Sequence, residues 1–539
     1  MSLTRLVEAM RQARFYPEPP ARVDVVQTHI SVVFLAGEQV YKLKKPVRFA
    51  FLDFSTLERR RHFCHEEVRL NRRLAGDTYR GVVAIVSHGD GFALAPADAA
   101  DAVEYAVHMR RLPAERMLTH LLAHDDVSPA LIDRIAARLV VFHAAADAGL
   151  AVARGGDPAV LARLMDDDFG EVAALHDDTI SAADDGAIQA WCHAFLRAHA
   201  ALLRRRVAAG RIRDGHGDLH AEHICCVEPE LLIFDCIEFN PAFRHRDVAA
   251  EIAFLAMDLT CLGRADLADR LVATYAARAG DSELARLVPF YACHRAYIRG
   301  KVESIKSREA EVDAADRAAA RASATAHFAL SYRYTWSDAP ALVVVCGLSG
   351  SGKSTVAAAL AARTAFAHVN SDRTRKALAG VAPTDRPGEA LYTSARSAET
   401  YAAMYAAARD ALAAGRGAIL DGTFQRRIDR DAARAIAAGA GVPMLFVECR
   451  ATDDEIRRRL AERTMRNDDP SDADWAVYLH QRSRYQPFRR DQTDHLTLHD
   501  TSDTRPIEAR LRAGAESRAR PREEKTRLQA KDAKAKKKF

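Results

Sequence analysis

The sequence predicts two folded parts, an α+β part built on an antiparallel sheet and then an α/β part built on a parallel sheet. First, 539 residues are too many for one hydrophobic core. Second, the first hundred residues run as two β-rich segments around a turn, a helix and further short strands. Third, short apolar runs alternate with helical segments after residue 340, which is typical of a parallel sheet.

Composition excludes several classes of protein. A formal charge of +5 is small for this length and indicates no general nucleic-acid surface. The nine cysteines include no C-x-x-C pair, so neither a disulfide framework nor a zinc site is predicted. No apolar run reaches the roughly eighteen residues of a membrane span, and the N-terminus lacks a signal-peptide core. We expect a soluble protein of the reducing cytoplasm, with no membrane partner.

The most informative stretch follows the apolar run 341–346 and matches G-x-x-x-x-G-K-[ST] completely. Backbone N–H groups of such a loop surround phosphate oxygens at a helix N-terminus. Lys353 would reach the β- and γ-phosphates, and the Ser354 hydroxyl would hold Mg²⁺. ATP and Mg²⁺ are therefore the predicted cofactors, and the alternative is a chance match. The predicted nucleotide-binding residues are Gly347, Ser349, Gly350, Ser351, Gly352, Lys353, Ser354 and Thr355.

A second strand, beginning at Ala367, ends in Ser371-Asp372 and leads into a helix. Ligands of parallel α/β sheets lie beyond the carboxyl ends of the strands. Asp372 is therefore a candidate catalytic residue that orients or deprotonates an attacking hydroxyl, and Arg375 a candidate substrate-binding residue. The alternative role for Asp372 is a helix N-cap.

Two further features follow in this part of the chain. The strand over 417–424 carries Asp421, a candidate Mg²⁺ acid in a Walker-B-like position or an ordinary strand-end carboxylate. The helix beginning at Asp453 contains arginines on a shared face, followed by a polar loop over 467–473. This pattern favours a lid that closes on the transferring phosphate, with Arg463 as a catalytic candidate. A solvated basic face is the alternative.

In the first part, β-rich runs over 28–36 and 39–44 flank a Gly-x turn and predict a hairpin. Lys42 and Lys44 share one strand face because side chains alternate along a strand. Such a lysine could pair with a nucleotide phosphate, or it could belong to a solvated edge strand. A helix over 57–74 follows.

Two acids stand farther along, in His216-Gly217-Asp218-Leu219-His220 and in the predicted strand over 231–239 that contains Asp235. Phosphoryl transfer needs one acid to accept the hydroxyl proton and one to hold Mg²⁺.

These residues resemble the aminoglycoside phosphotransferase and choline-kinase-like branch of the protein-kinase fold, over Gln27 to Tyr334. The resemblance implies that Asp218 is the catalytic base, that Asp235 binds metal, and that Lys42 pairs with phosphate beside Glu67 or Glu66.

One position departs from that family. His223 stands where the family has an asparagine that ligates a second Mg²⁺, an ion that prefers oxygen ligands. We expect weakened catalysis, or else a degenerate domain retained as a scaffold. His220 is expected to orient the loop by hydrogen bonding.

The second part, over about 341–498, resembles the small P-loop kinases, such as gluconate kinase, chloramphenicol phosphotransferase, zeta toxin and the kinase half of polynucleotide kinase. The tandem order is similar to the bacterial bifunctional aminoglycoside phosphotransferase/ATP-binding protein group. The predicted fold class is thus an α+β protein-kinase-like domain followed by an α/β P-loop NTPase domain with a parallel sheet.

The predicted domains are 1–337, with lobes over about 20–112 and 113–337, then 338–503, then a basic and disordered tail over 504–539. The predicted function is ATP- and Mg²⁺-dependent transfer of the γ-phosphoryl group to a hydroxyl of a small molecule by two kinase-like domains. One alternative is a nucleotide-binding regulatory or scaffold protein. Another is a 5′-hydroxyl polynucleotide kinase whose tail holds nucleic acid, although nucleic acid is not the favoured partner.

Overall fold

The computed structural model describes residues 3–49, 51–176, 178–309, 312–382, 385, 391, 393–466, 471–489 and 492–514. The chain divides into two compact units, Met1–Ser331 and Tyr332–Phe539, which are described separately.

The first unit begins with a six-stranded sheet in which all neighbours are antiparallel, in the order β1-β2-β3-β8-β6-β7. The two shortest strands, β4 and β5, pair with each other apart from this sheet. The predicted hairpin is β2 and β3, and Val23–Gln27 adds an edge strand that the sequence did not predict. The strands are β1 Val23–Gln27, β2 Ser31–Ala36, β3 Gln39–Lys44, β4 Arg48–Phe49, β5 Leu52–Asp53, β6 Tyr79–His88, β7 Gly91–Pro96 and β8 Ala102–Arg110.

Both faces of this sheet are covered by helices. Helix α1, Leu3–Met10, packs Leu6 and Met10 against one face, where Phe34 and Leu43 are buried. Helix α2, Leu57–Ala75, starts at the Thr56 N-cap and packs its apolar side against the other face. Packing of α2 on the sheet also buries Glu67, whose carboxylate is central to the site described below.

The rest of the first unit is mostly helical. Helix α9 is buried along nearly its whole length because its sequence is apolar on all sides, and it forms the centre of this part. Two small antiparallel pairs, β9 with β12 and β10 with β11, lie beside it. The helices are α3 Leu118–Ala123, α4 Pro129–Ala145, α5 Leu150–Ala153, α6 Pro158–Val172, α7 Ala182–Ala208, α8 Pro241–Arg244, α9 Val248–Cys261, α10 Ala265–Ala279, α11 Leu284–Lys306 and α12 Ala314–Tyr334, and the strands are β9 Ile212–Asp214, β10 Ile224–Val227, β11 Glu230–Ile233 and β12 His245–Asp247.

Three predicted elements differ here. The strand predicted over 231–239 ends at Ile233, because Asp235 takes a left-handed conformation with φ 61° that no strand continues through. The helix predicted over 249–278 is interrupted at Gly263, with φ 81°. The helix predicted over 289–332 is divided into α11 and α12.

The second unit is a parallel sheet of five strands in the order β14-β15-β13-β16-β17, with helices between successive strands. Its central strand β13 is buried at every position, as expected for a strand covered on both faces. The elements are β13 Leu342–Cys346, α13 Lys353–Thr364, β14 Ala367–Asn370, α14 Ser371–Leu378, α15 Ser394–Ala413, β15 Ala418–Asp421, α16 Arg427–Ala440, β16 Met444–Cys449, α17 Asp453–Arg466, α18 Trp475–Arg484 and β17 His495–Leu498.

The predicted disordered tail is wrong for its first residues. Residues 505–514 are helical, and Ile507 and Leu511 are buried. The buried Glu508 carboxylate accepts a hydrogen bond from Arg363 at 2.7 Å. Ile507 and Leu511 are four residues apart and therefore lie on one face of the helix, which packs against the second unit. The basic composition of the segment had instead indicated disorder. The rest of the predicted tail, 515–539, lies outside the described residues.

Together the two units confirm the predicted fold class. Among the described residues no single helix has the length and apolar character to cross a membrane; one sharply bent pair, Pro129–Ala145 with Leu150–Gly156, meets those two criteria only when joined.

Candidate functional site

The predicted phosphate-binding loop leads from β13 into α13, which begins at Lys353. A cavity of about 650 Å³ opens beside it. The cavity brings together seven of the predicted residues, namely Gly350, Gly352, Lys353, Ser354, Thr355, Asp372 and Arg463. Gly347, Ser349, Ser351, Arg375 and Asp421 do not line it.

Close packing explains why this loop needs glycine. Gly350 has φ 79°, and a Cβ there would lie 2.9 Å from the Ile456 side chain of α17. The Ser349 N–H donates a hydrogen bond to Gln481 Oε1 at 2.9 Å. The loop therefore packs against α17 and is hydrogen-bonded to α18.

Ser354, Asn370 and Asp421 form a polar cluster at the carboxyl ends of β14 and β15. Asn370 Nδ2 donates to Asp421 Oδ2 at 2.6 Å and lies 3.5 Å from Ser354 Oγ. His368 Nε2 lies 3.3 Å from the same carboxylate oxygen. Within the described part of the chain, Asp421 Oδ1 is buried and accepts no hydrogen bond. A buried carboxylate oxygen without a donor indicates a position for a cation.

The Asp421 carboxyl is ionised at neutral pH. Burial raises its pKa, but the His368 hydrogen bond and the Lys353 charge lower it by more, so the pKa lies below its ordinary value. A serine hydroxyl beside an ionised carboxylate is an oxygen donor set of the kind that Mg²⁺ prefers, so these residues fit that ion.

Asp372 lies in the first turn of α14 and lines the cavity. Its alternative role as N-cap is wrong, because the cap is Asn370, whose side chain accepts from the N–H groups of Asp372 and Arg373 at 3.0 Å. Asp372 Oδ1 instead accepts from Arg375 Nη1 at 2.7 Å. Arg375 thus holds the Asp372 carboxylate, and its predicted contact with substrate stays a prediction.

Three of the five arginines of α17 line the same cavity, and the predicted lid stays a prediction. Arg458, Arg459 and Arg463 all line it, and Arg459 Nη1 lies 3.5 Å from the Gly350 carbonyl oxygen. Arg463 donates to the Ala473 carbonyl. Residues 467–470 of the predicted lid loop lie outside the described residues.

The first unit contains a second cluster. Lys42 Nζ lies 2.9 Å from Glu67 Oε1 and donates to Asp235 Oδ1 at 2.6 Å. Glu66 is not the helix partner, because its carboxylate binds Arg69 at the surface of α2. Of the two candidate lysines, Lys42 is therefore the one that reaches Asp235.

Lys44 shares the strand face of Lys42, as expected, but it is fully buried. Its Nζ donates to Glu67 Oε2 at 2.6 Å and to Glu238. Burial lowers the pKa of Lys42, but the carboxylates of Asp235 and Glu67 raise it more, so the net shift is well above the ordinary value. Burial likewise lowers the pKa of Lys44, but the carboxylates of Glu238 and Glu67 raise it by more, so both lysines are charged at neutral pH.

A third set of contacts fixes the loop that carries Asp218. Glu251 Oε1 of α9 accepts from the backbone N–H groups of His216 and Gly217, each at 2.5 Å. Glu251 Oε2 accepts from His143 Nε2 at 2.8 Å. A Cβ at Gly215 would lie 2.5 Å from this carboxylate, so only glycine allows the approach.

Asp218 lies between two imidazoles. His220 Nε2 and His223 Nδ1 are 3.5 and 3.6 Å from Asp218 Oδ2. Burial raises the pKa of Asp218, but the charge and hydrogen bond of His220 lower it to well below its usual range. His223 Nδ1 donates to the Asp218 carbonyl at 2.9 Å, and its Nε2 lies 3.6 Å from Asp235 Oδ2.

Several of these residues were not found from the sequence. Asn370 and Glu238 lie within the two predicted strands that carry site acids, so a polar residue close to such an acid could have indicated them. Glu251 and His143 are separated from Asp218 by 33 and 75 residues of sequence, and no local pattern marks them. A larger hollow of about 860 Å³ in the first unit, lined by Phe49, Phe51 and other residues, contains none of the predicted site residues.

A known family model matches part of the second unit. Residues 342–488 match the family model described as an AAA domain, AAA_33. The uncharacterized proteins Rv2004c of Mycobacterium tuberculosis and Mb2027c of Mycobacterium bovis are each 33% identical over 452 residues, 83% of this chain and 87% of the relative. The chain belongs to their family. The narrower resemblance to the bifunctional aminoglycoside phosphotransferase group stays a prediction.

Three solved structures are similar to parts of the chain. A choline/ethanolamine kinase family protein from Mesorhizobium loti is 13% identical and covers 60% of this chain and 98% of its own, with a TM-score of 0.33. A gluconokinase from Sinorhizobium meliloti is 20% identical over 35% of this chain and 98% of its own, with a TM-score of 0.24. A putative kinase from Chloroflexus aurantiacus is 20% identical over 33% and 98%, with a TM-score of 0.28. Likenesses this distant do not identify a substrate.

Proposed function

We propose that this chain is an ATP-dependent phosphotransferase whose second unit transfers the γ-phosphoryl group to a hydroxyl of a small molecule. The observation that carries the proposal is the 650 Å³ cavity, which is lined by Lys353 and Ser354, by Asp372 and by three arginines of α17. This arrangement supplies positioning and positive charge around one point, which phosphoryl transfer chiefly requires.

Each side chain has a role in this proposal. Lys353 neutralises the β- and γ-phosphates from the N-terminus of α13. Asp372, held by Arg375, accepts the proton of the attacking hydroxyl. Arg459, beside the loop, and Arg463 contribute positive charge to the cavity and stabilise the charge that spreads over the transferring group.

Ser354 and Asp421 would hold Mg²⁺. When bound, this ion neutralises the phosphate oxygens and orients them. Asn370 keeps one Asp421 oxygen occupied, so that the other, Oδ1, is left for the ion.

The first unit is proposed to be a second phosphotransfer site. Lys42, positioned by Glu67, would bind phosphate oxygens, and Asp218 would accept the hydroxyl proton. Glu251 supports this proposal, since it holds the loop of Asp218 through two backbone N–H groups. His223 does not fit the Mg²⁺ site that the kinase fold carries at this position, because imidazole is a poor ligand for that ion.

The experiment is phosphate transfer from labelled ATP to a panel of small hydroxyl compounds and 5′-hydroxyl oligonucleotides. Wild type is compared with Lys353→Ala and Asp218→Asn, one variant for each unit. Arg396→Ala, which removes only an exposed ion pair with Glu399 in the second unit, is the charge-matched control. We expect product formation to be lost in Lys353→Ala and retained in Arg396→Ala.

The outcomes separate the alternatives. Product that disappears only in Asp218→Asn assigns the chemistry to the first unit. If ATP binds and no acceptor is labelled, the phosphotransferase proposal is wrong and a nucleotide-binding regulator replaces it. Labelling of oligonucleotides alone makes the second unit a polynucleotide kinase.

A further inference from the structure

The strongest unexplained feature of the first unit is a group of four side chains at the end of the β10-β11 hairpin, here called the Asp-His cluster. The ligand atoms of its first three members lie within 4.8 Å of one another, and all three are at least partly buried. The members of the Asp-His cluster are Asp218, His220, His223 and Asp235.

The hydrogen bonds of His223 fix which of its nitrogens carries the proton. Nδ1 lies 2.9 Å from the Asp218 carbonyl oxygen, which can only accept, so Nδ1 carries the proton. The neutral ring then has its lone pair on Nε2. That lone pair is directed toward Asp235 Oδ2, 3.6 Å away.

A lone pair facing a carboxylate oxygen is repulsive unless a positive charge lies between them. Lys42 does not supply that charge, because it binds the other oxygen of Asp235, Oδ1. A histidine that donates one N–H to a backbone carbonyl and presents its other nitrogen to a cation is the usual arrangement of a metal ligand.

The distances within two pairs of ligand atoms match the spacing of atoms that share a metal ion, and Asp235 joins the other three residues through His223. Two ligand atoms on a tetrahedral metal, each about 2.1 Å from it, are about 3.4 Å apart. His223 Nε2 and Asp235 Oδ2 are 3.6 Å apart, and His220 Nε2 and Asp218 Oδ2 are 3.5 Å apart. Direct hydrogen bonds would bring these atoms closer, to about 2.8 Å.

We propose that the Asp-His cluster binds a divalent transition-metal ion, of the zinc or cobalt type, in preference to Mg²⁺. Two imidazoles with two carboxylates match the ligand preference of those ions, whereas Mg²⁺ selects oxygen. The proposal deepens the second phosphotransfer site proposed above, and its test uses neither nucleotide nor acceptor. A failure here is therefore distinguishable from a failure of the proposed function.

The test is titration of the metal-free full chain with Co²⁺, followed through its visible absorption, in the presence of excess Mg²⁺. We expect wild type to bind one Co²⁺ per chain, Mg²⁺ to displace none of it, and one equivalent of Zn²⁺ to displace all of it. In His223→Asn the Co²⁺ affinity should fall by more than about tenfold, the loss that disturbance of a ligand-orienting contact already produces.

His368→Asn is the matched control. It removes the imidazole that lies 3.3 Å from Asp421 in the second unit, and we expect its Co²⁺ spectrum to be that of wild type. If the spectrum is lost in His368→Asn and kept in His223→Asn, the metal lies in the second unit and the proposal is wrong.

A measurement on wild type alone avoids any effect of the variants on folding. X-ray absorption of the Zn²⁺-loaded chain should show imidazole scattering from two histidines and no sulfur ligand. Sulfur scattering, displacement of Co²⁺ by Mg²⁺, or absence of stoichiometric binding would each overturn the proposal.

Discussion

Replacement of Glu251 should unfold the first unit at much lower denaturant concentration, because this buried carboxylate satisfies three donors. Two are the backbone N–H groups of His216 and Gly217, and the third is His143 Nε2. Hydrogen bonds to a charged acceptor contribute about 1.5 kcal/mol each, so three contribute about 4.5 kcal/mol. Glu251→Ala removes all three and leaves the donors buried.

The pKa of Glu251 gives a second measure of the same effect. Burial raises this pKa, but the hydrogen bond and charge of His143 lower it to about 2, from an ordinary 4.5. A pKa lowered from 4.5 to about 2 corresponds to about 3 kcal/mol. The two figures agree well enough to predict a loss of about 3 to 5 kcal/mol in Glu251→Ala.

Glu251→Gln should lose less, about 1 to 2 kcal/mol, because its amide oxygen still accepts from the two backbone groups. The amide N–H₂ of the new glutamine would donate to His143 Nε2. His143 Nδ1, which lies 2.8 Å from the Tyr275 hydroxyl, would then donate to that hydroxyl. The ring can change tautomer without moving.

The assay is urea unfolding monitored by tryptophan fluorescence. Trp191, which is buried near Phe195 and Phe290 in the first unit, becomes the only reporter when Trp336 and Trp475 are changed to Phe. Glu230→Ala is the control, since it removes a half-exposed ion pair with Arg110 worth about 0 to 1 kcal/mol.

Acid dependence provides an independent check. A carboxyl whose pKa is depressed on folding stabilises the folded state above pH 4.5 and loses that contribution as the pH falls toward 2. This part of the acid sensitivity should be absent from Glu251→Ala. A Glu251→Ala variant that unfolds at the same urea concentration as Glu230→Ala would refute the reasoning.

The remaining predictions concern three other buried contacts. Arg206→Met should lose about 3 to 5 kcal/mol in the same urea assay, because the buried Asp247 would lose its ion pair and Asp281 would keep only the 3.9 Å contact with Arg211. Arg205→Met, at an exposed pair with Glu283, should be near neutral. Lys44→Met should be as destabilising, since it leaves Glu238 without its cation, and a variant that unfolds like wild type would show that the pair contributes nothing. Gly350→Ala should lower the ATP affinity of the second unit by at least about tenfold in equilibrium dialysis, because the new Cβ would displace the loop from Ile456. Gly380→Ala is the control for backbone strain, since Gly380 has φ 68° and no atom within 4 Å of the added Cβ.

Sequence predicted the fold class because the periodic signals were long and local. The apolar run 341–346 before a Gly-rich loop, and the β-rich runs around Gly37, each fix an element without help from distant residues. The strand predicted through Asp235 was wrong because residues distant in sequence determine the backbone there. Its apolar pattern continues to Phe239, and the left-handed turn at Asp235 is imposed by the contacts of its side chain and backbone with Lys42 and Tyr79.

The candidate sites could be predicted only where one stretch of sequence carries the chemistry. Lys353 and Ser354 adjoin each other, and Asp218 lies in a recognisable loop. The choice between Lys42 and Lys44 required the structure, because both share one strand face and differ only in which acid lies beyond them. Glu251, whose two backbone contacts hold the Asp218 loop, is joined to it by the tertiary fold alone.

The double attachment of Glu67 has a consequence for how the first unit could be controlled. One carboxylate oxygen contacts Lys42 and the other contacts Lys44, so both lysines of β3 anchor helix α2. A rotation of α2 large enough to release Lys42 would also break the buried ion pair between Glu67 and Lys44. Switching by helix displacement is therefore costly in this unit, and Lys42, proposed above to bind phosphate, is held beside Glu67 and Asp235. Control of such a site has to act on what enters it, through the supply of nucleotide, acceptor or metal, rather than on the shape of the lobe.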